Sequence, residues 1–241
     1  LMQTLFRNPL AGPFVLGISS GASLGVALLI LGSSLIGGIS GLAFSNFGMA
    51  IAASLGAFLV LSAVLIAANK VRNTMSILII GLMFGSITSA IISVLSYFSS
   101  AEQLQQFIFW GFGSLGNLSW NELKVFGLIF FVGISLLAFI IKPLNSLLLG
   151  ENYAKSVGIN IKFTRNITLI ITSILTGVIT AFSGPIAFVG LAVPHLTKLV
   201  FNTSNHKILI PAVAIVGAIL MLVADTIAQL PTSEYTLPIN A

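Results

Sequence analysis

The chain of 241 residues contains no cysteine, and only 6% of its residues carry charge. Without cysteine there are no disulfide bonds, no thiol nucleophiles and no cysteine-ligated metal sites. A soluble domain normally has about a quarter of its residues charged, so this composition excludes an ordinary globular protein in water. The sequence also lacks the G-x-x-x-x-G-K-[ST] phosphate loop, and we expect any ATP hydrolysis to come from a partner.

Acidic residues and histidines are equally scarce, with five Asp or Glu and two His in the whole chain. Only Asp225 falls inside a predicted membrane segment. An acidic residue inside a membrane suggests a functional site, and the alternative is that Asp225 makes a structural hydrogen bond. His195 is expected to be a structural residue at the interface, and His206 a solvated loop residue. Because no titratable groups converge, we expect no catalytic residue, no metal site and no cofactor.

Apolar residues make up 57% of the chain, and its mean hydropathy is +1.12. Apolar runs of 18 or more residues recur, which is typical of membrane-spanning helices. The sequence therefore predicts an all-α, polytopic membrane protein. We predict seven segments, at roughly 13–32, 48–69, 75–98, 122–141, 164–182, 186–201 and 208–229.

The basic residues orient these segments. When the segments alternate in direction, nine of the ten Lys and Arg residues fall on one side of the membrane, and only Lys124 falls on the other. An excess of Lys and Arg marks the cytoplasmic side, so Glu102, Glu122 and Glu234 are predicted to lie outside. The net charge of +5 thus reflects topology, and we expect no nucleic acid partner.

The stretch 142–163 separates two predicted segments and is too polar to span a membrane. We predict a cytoplasmic loop of two short helices. Pro143 begins the first and Gly150 ends it, while Glu151 begins the second and Gly158 caps it. Three adjacent leucines at 147–149 are unusual in a loop that faces water. Either a partner protein covers them, or they tuck under the chain's own segments.

Small residues recur at regular spacing in the first and third predicted segments. In the first, Pro9 and Pro13 break the helix start, and glycines recur every four residues at 17, 21 and 25. Such a face favours close helix packing, while the broken start is typical of a cavity border. In the third segment, serines three or four residues apart share one helical face. This face could line a path for a solute, or it could serve helix packing together with Gly81 and Gly85. The serines are Ser86, Ser89, Ser93 and Ser96.

Several short motifs, in this order and spacing, resemble the permease family of ABC importers for iron-siderophores, haem and cobalamin, which are FecCD-type, type II importers. The resemblance covers essentially the whole chain. The matching residues are Arg7-Asn8-Pro9-Leu10-Ala11, Leu16-Gly17-Ile18-Ser19-Ser20-Gly21-Ala22, Trp110, Gly113-Ser114-Leu115, Leu149-Gly150-Glu151, Gly158, Phe188-Val189-Gly190-Leu191, Val193-Pro194-His195, Ala224-Asp225 and Leu237-Pro238.

The resemblance implies a ten-span subunit in the bacterial cytoplasmic membrane, surrounded by lipid. It further implies a homodimer with a central path, two cytoplasmic ATPase subunits and an extracytoplasmic binding protein. By this comparison we expect residues 1–241 to be one permease domain truncated at both ends. The family often has Arg where Gln229 stands and Glu where Thr236 stands, so the docking surface that includes Gln229 and Glu234 is expected to differ.

In the family's pattern the loop 142–163 resembles the coupling helices that rest on the ATPase. We assign this role to Leu147, Leu148, Leu149, Gly150, Glu151, Ala154, Lys155 and Gly158. The function implied is the non-catalytic permease subunit of an ATP-driven importer, with an iron-siderophore complex as the cargo. The alternative is an ion-coupled secondary transporter or a channel for a small solute.

Overall fold

The computed structural model describes residues 1–9, 11–33, 46–71, 74–116, 118–186, 188–229, 237 and 239. These residues form helices and turns and include no β-strand, which confirms the predicted all-α class. A 3-10 turn occupies Pro13–Leu16. The helices are α1 (Met2–Phe6), α2 (Ile18–Ile30), α3 (Asn46–Lys70), α4 (Thr74–Phe98), α5 (Ala101–Gly111), α6 (Trp120–Leu148), α7 (Glu151–Ser156), α8 (Ile161–Ser183), α9 (Val189–Phe201) and α10 (His206–Gln229).

Five of these helices (α3, α4, α6, α8 and α10) are long and apolar enough to cross a membrane. They match five of the seven predicted segments. The other two segments contain α2 and α9, which have only 13 residues each. At about 1.5 Å per residue such a helix is roughly 20 Å long, well short of the ~30 Å hydrocarbon layer. Each of these two segments therefore contains a helix too short to span the layer, preceded by irregular backbone.

Glycines hold α2 tightly against α3. A methyl group placed on Gly21 would lie 2.7 Å from the carbonyl oxygen of Gly56, and one placed on Gly25 would collide with the carbonyl oxygen of Ala52. Backbones this close leave no room for a side chain, which is the packing role expected of small residues in membrane helices. Around this contact lies the core, whose fully buried members include Leu16, Ile18, Val26, Val64, Ile77, Ile140, Leu144, Leu169 and Ile171.

The prediction that a new helix begins at Pro143 is wrong, because α6 continues through Pro143 to Leu148. Proline lacks the N–H that would bond the carbonyl of Phe139, and this normally breaks a soluble helix. Here Ile140 and Leu144 on either side are fully buried and fix the helix in place. Prolines within membrane helices are tolerated for such reasons. The predicted loop 142–163 therefore shrinks to residues 149–160, which contain α7.

Hydrogen bonds identify the two ends of the bundle. At one end the side chain of Asn145, near the end of α6, donates to Asn205 Oδ1 just before α10, at 2.9 Å. At the other end the backbone N–H of Ser114, after α5, donates to the carbonyl of Ser183 at the end of α8, at 3.0 Å. The first end carries almost all of the described basic residues, namely Arg7, Lys70, Lys142, Lys155, Lys162, Arg165, Lys198 and Lys207. By the positive-inside rule it is the cytoplasmic end.

Candidate functional site

The irregular backbone before α2 meets the first turn of α9. A methyl group placed on Gly12 would lie 3.3 Å from Leu191, and one on Gly190 would lie 3.7 Å from Pro13. Phe188, which precedes α9, has φ +60°, a left-handed conformation that side chains rarely adopt. Non-helical backbone inside a membrane occurs only where protein buries it or where it lines a cavity, and broken helices of this kind are common in transport proteins.

The exposed serines of α4 lie farther along the helix than its closest packing contact. Gly81 lies so close to the 3-10 turn that a methyl group on it would collide with the carbonyl of Val15. Toward the C-terminal half of α4, Ser86, Ser89 and Ser93 are exposed. Ser96 is half-buried. The glycines therefore do the packing, and the serine face is left uncovered by the described part of the chain.

Two of the three exposed serine hydroxyls donate to the backbone of their own helix. Ser86 Oγ donates to the carbonyl of Leu82, and Ser93 Oγ donates to the carbonyl of Ser89, both at 3.0 Å. In each bond the hydroxyl proton is donated to a backbone carbonyl of the same helix. The oxygen then has only its lone pairs available to other groups, as a hydrogen-bond acceptor. The face is consequently neutral and weakly polar.

Both glycines that flank α7 have the backbone geometry predicted for them. Gly150 has φ +119° and Gly158 has φ +82°. The N–H of Gly158 donates to the carbonyl of Lys155 at 3.0 Å, and the N–H of Ile159 donates to the carbonyl of Ala154 at 2.9 Å. This pair of bonds is a Schellman cap, which ends a helix sharply at a left-handed residue. The sequence prediction of a capped helix beginning at Glu151 is confirmed.

The residues assigned to the coupling surface divide into two groups. Leu147, near the end of α6, is 5% exposed and Ala154 on α7 is fully buried, so both pack into the chain's own core. Leu148 is 42% exposed and Leu149 is 68% exposed. Of the remaining assigned residues, Gly150 is half-buried while Glu151, Lys155 and Gly158 are exposed. Leu147 and Ala154 hold the surface in place and do not contribute to it.

Two exposed apolar residues on α7 were not among those assigned. Tyr153 is 47% exposed and Val157 is 52% exposed. Their spacing of four residues places them on one helical face, a signal that the sequence contained. We call the set Leu148, Leu149, Glu151, Tyr153 and Val157 the α7 patch.

A buried hydrogen-bond cluster joins three helices beside the α7 patch, and it corrects the prediction that His206 is a solvated loop residue. His206 is only 2% exposed. Its Nδ1 lies 2.7 Å from Asn145 Oδ1, and its Nε2 lies 2.9 Å from Thr4 Oγ1. Because an amide oxygen only accepts, Nδ1 carries the proton, and the hydroxyl of Thr4 donates to Nε2. The neutral ring is fully paired, which is why it is buried.

At the outer end, Gln229 Nε2 donates to Asp225 Oδ2 at 2.7 Å, so the side chain of Asp225 has a structural partner. Gln229 itself is exposed and Asp225 is half-buried. Glu234, the other residue assigned to docking, lies outside the described residues. His195 is exposed at the middle of α9. Within the described ranges, no three His, Asp or Glu residues come together in a way that could hold a metal ion.

Five long apolar helices, two shorter ones and a capped helix at the basic end together define a multi-pass membrane protein. The chain belongs to the FecCD transport family, which matches residues 1–241. It is therefore an ABC importer permease of the bacterial inner membrane, as the sequence motifs indicated.

Relatives of known name agree with this assignment. The chain is 34% identical over 247 residues to the vitamin B12 import system permease protein BtuC of Salmonella paratyphi A (strain ATCC 9150 / SARB42), covering 100% of this chain and 71% of the relative. The same identity and coverage hold for BtuC of Salmonella typhimurium (strain LT2).

Among solved structures, the chain is similar to an inward-facing conformation of a metal-chelate type ABC transporter. The TM-score is 0.88 at 31% sequence identity, and the match covers 99% of this chain and 73% of that one. The fold and the family both favour an importer permease over an ion-coupled transporter or a channel.

Proposed function

We propose that this chain works as a homodimer, together with two cytoplasmic ATPase subunits and an extracytoplasmic binding protein, to import a metal chelate. The α7 patch carries the proposal. It presents Leu149 and Tyr153 to water at the basic end of the bundle, and soluble surfaces rarely gather apolar residues in this way without a partner. An ATPase subunit seated there would receive its motion through α7.

The construction of α7 suits the transmission of force. Leu147 and Ala154 are buried, so α7 cannot shift independently of α6 and α8. The left-handed glycines at 150 and 158 fix its direction at both ends. A push on the α7 patch would therefore be passed to the membrane helices and not absorbed by a loose loop.

The cargo that we propose first is an iron-siderophore complex. Its support is the family motifs and the likeness to a metal-chelate type ABC transporter. The second candidate is cobalamin, because the named relatives are vitamin B12 permeases. Both cargoes are bulky metal chelates, and the uncharged serine face of α4 would let either pass without a strong electrostatic trap.

The test is uptake into vesicles that contain the permease, its ATPase and its binding protein. Radiolabelled ferric siderophore and radiolabelled cobalamin are supplied separately, each also with an excess of the other as competitor. A matched preparation carries an ATPase whose phosphate-loop lysine is replaced by alanine. We expect ATP-dependent uptake of the siderophore that the inactive ATPase abolishes. Uptake of cobalamin alone would select the second cargo, and uptake that persists with the inactive ATPase would overturn the importer.

A further inference from the structure

A cavity of about 210 Å³ lies at the outer end of the bundle. It is formed where the end of α5, the segment after it, the start of α6 and the end of α8 come together. Ligand sites for drug-sized molecules occupy roughly 300–1,000 Å³, so this cavity suits a group the size of one side chain and is too small for a metal chelate. Its walls include Phe109, Trp110, Phe182 and the carboxylate-bearing Glu122.

The Glu122 carboxylate lies inside the protein, since the residue is only 7% exposed. Its Oε2 accepts two hydrogen bonds from Ser119, one from the backbone N–H and one from the hydroxyl, both at 2.7 Å. Within the described part of the chain Oε1 has no hydrogen bond. Oε2 thus caps α6, and Glu122 also lines the cavity.

Among the described residues that line the cavity there is no lysine, arginine or histidine. Lys124 is the nearest basic residue in sequence, but it is exposed, and residues two apart on a helix do not face each other. A buried carboxylate is costly unless a positive charge pairs with it. Aromatic rings in the same wall also attract cations through their faces.

We propose that this cavity is a binding site for a guanidinium or alkylammonium group, with Glu122 as its charged partner. Aromatic walls and a single carboxylate suit an organic cation, whereas a metal ion would require several oxygen ligands. The source that fits its position is a basic side chain of the extracytoplasmic binding protein, a step that rests on the proposed function.

The competing explanation is that Glu122 serves only as a helix cap. Ser119 and Glu122 form a reciprocal capping box at the start of α6. Gln fills this position in a capping box as well as Glu does, since its amide oxygen accepts the same backbone bond. Glu122→Gln therefore keeps the cap and removes only the charge. Glu102→Gln is the matched control, because Glu102 is an exposed acid in the first turn of α5 at the same end.

The chain carries its own reporter for the test. It has two tryptophans, and Trp120 is 80% exposed while Trp110 lines the cavity. In a Trp120→Phe background, the full chain in detergent micelles is titrated with N-acetylarginine amide at constant ionic strength, and Trp110 fluorescence is recorded. N-acetylcitrulline amide, a neutral molecule of almost the same shape, is the control ligand. A thermal melt of each variant verifies that the fold is retained.

We expect a saturable fluorescence change with the arginine amide and none with the citrulline amide. Glu122→Gln should weaken the apparent affinity by about tenfold, as expected for loss of a charge-assisted pair. Glu102→Gln should change it by less than about twofold, because exposed charges contribute little. An unchanged affinity in Glu122→Gln, or an equal response to the citrulline amide, would overturn the site.

A second measurement tests the source of the cation. The affinity of the purified binding protein for the assembled permease should fall in Glu122→Gln and stay constant in Glu102→Gln. Equal affinities would overturn the assignment to the binding protein. The arginine amide titration needs no ATPase, cargo or uptake, so its failure is distinguishable from failure of the proposed function.

Discussion

The Nδ1 atom of His206 lies 2.7 Å from the Oδ1 atom of Asn145, and this contact ties the start of α10 to the end of α6. The same amide oxygen also accepts the backbone N–H of His206, at 2.9 Å. Since Nε2 is paired with Thr4, one buried ring fastens three helices at the cytoplasmic end. α6 leads directly into α7, so this cluster lies close to the point where the membrane helix α6 reaches the α7 patch.

Replacing His206 with alanine should destabilise that end of the bundle. The change removes the ring's two bonds and leaves Thr4 without its partner, at a cost of about 1–3 kcal/mol for a buried polar group left unsatisfied. We expect a lower melting temperature in detergent and faster proteolysis between α6 and α8. His195→Ala is the matched control because His195 is exposed, and it should leave both measurements unchanged. Equal melting temperatures for the two variants would contradict a structural role for the cluster.

Reversing the charge of Glu151 should impair coupling without impairing the fold. Glu151 is exposed in the first turn of α7, where lysine would meet the positive end of the helix dipole at a cost of only about 0.3–1 kcal/mol. We expect Glu151→Lys to insert normally, while cargo-stimulated ATP hydrolysis and uptake both fall.

The control for this change is Glu102→Lys, the same reversal in the first turn of a helix at the other end of the bundle. In the Glu102→Lys variant, cargo should still stimulate ATP hydrolysis. Expression, ATPase co-purification, hydrolysis and uptake are measured on the same preparations. Normal coupling in Glu151→Lys would remove this residue from the coupling surface.

A bulky residue on the serine face should obstruct transport. Ser89 is exposed on α4, farther along the helix than Gly81, which packs against the 3-10 turn. Ser89→Trp therefore leaves helix packing intact, and we expect uptake to fall sharply while the ATPase still co-purifies. Ile219→Trp places the same side chain at an exposed position on α10 and should transport normally. Full uptake by a correctly assembled Ser89→Trp permease would exclude Ser89 from the path.

Single cysteines provide a direct test of topology because the native chain has none. Ser204 and Gln105 are exposed at opposite ends of the bundle. A membrane-impermeant maleimide applied to intact cells should label Gln105→Cys, whereas Ser204→Cys should react only after permeabilisation. Labelling of both from outside would refute the alternation of the membrane segments and the assignment of the basic end to the cytoplasm.

Properties that depend on local pattern were predictable from the sequence. The apolar runs gave the long helices, since a chain in lipid must satisfy its backbone polar groups within each helix. Gly150 and Gly158 were predicted correctly as the glycines that follow the helices on either side of Glu151, because backbone with positive φ strongly favours glycine. The family motifs gave the permease class.

Properties that depend on which residues meet in space were not predictable from the sequence alone. Pro143 reads as a helix start, yet packing around Ile140 and Leu144 carries α6 through it. His206 reads as a solvated loop residue, yet two distant partners, Thr4 and Asn145, satisfy its ring and make burial favourable.

By itself the sequence determined the membrane class, the orientation of the segments and the capped helix at the cytoplasmic end, because composition, charge and glycine act locally. Only the tertiary structure decided which of the leucines at 147–149 face water, and that Gly12 and Pro13, before α2, lie beside the first turn of α9. It also decided that Glu122 lies buried beside a small aromatic cavity. The physical reason is that burial and pairing depend on contacts between residues far apart in the chain, which a linear pattern does not specify.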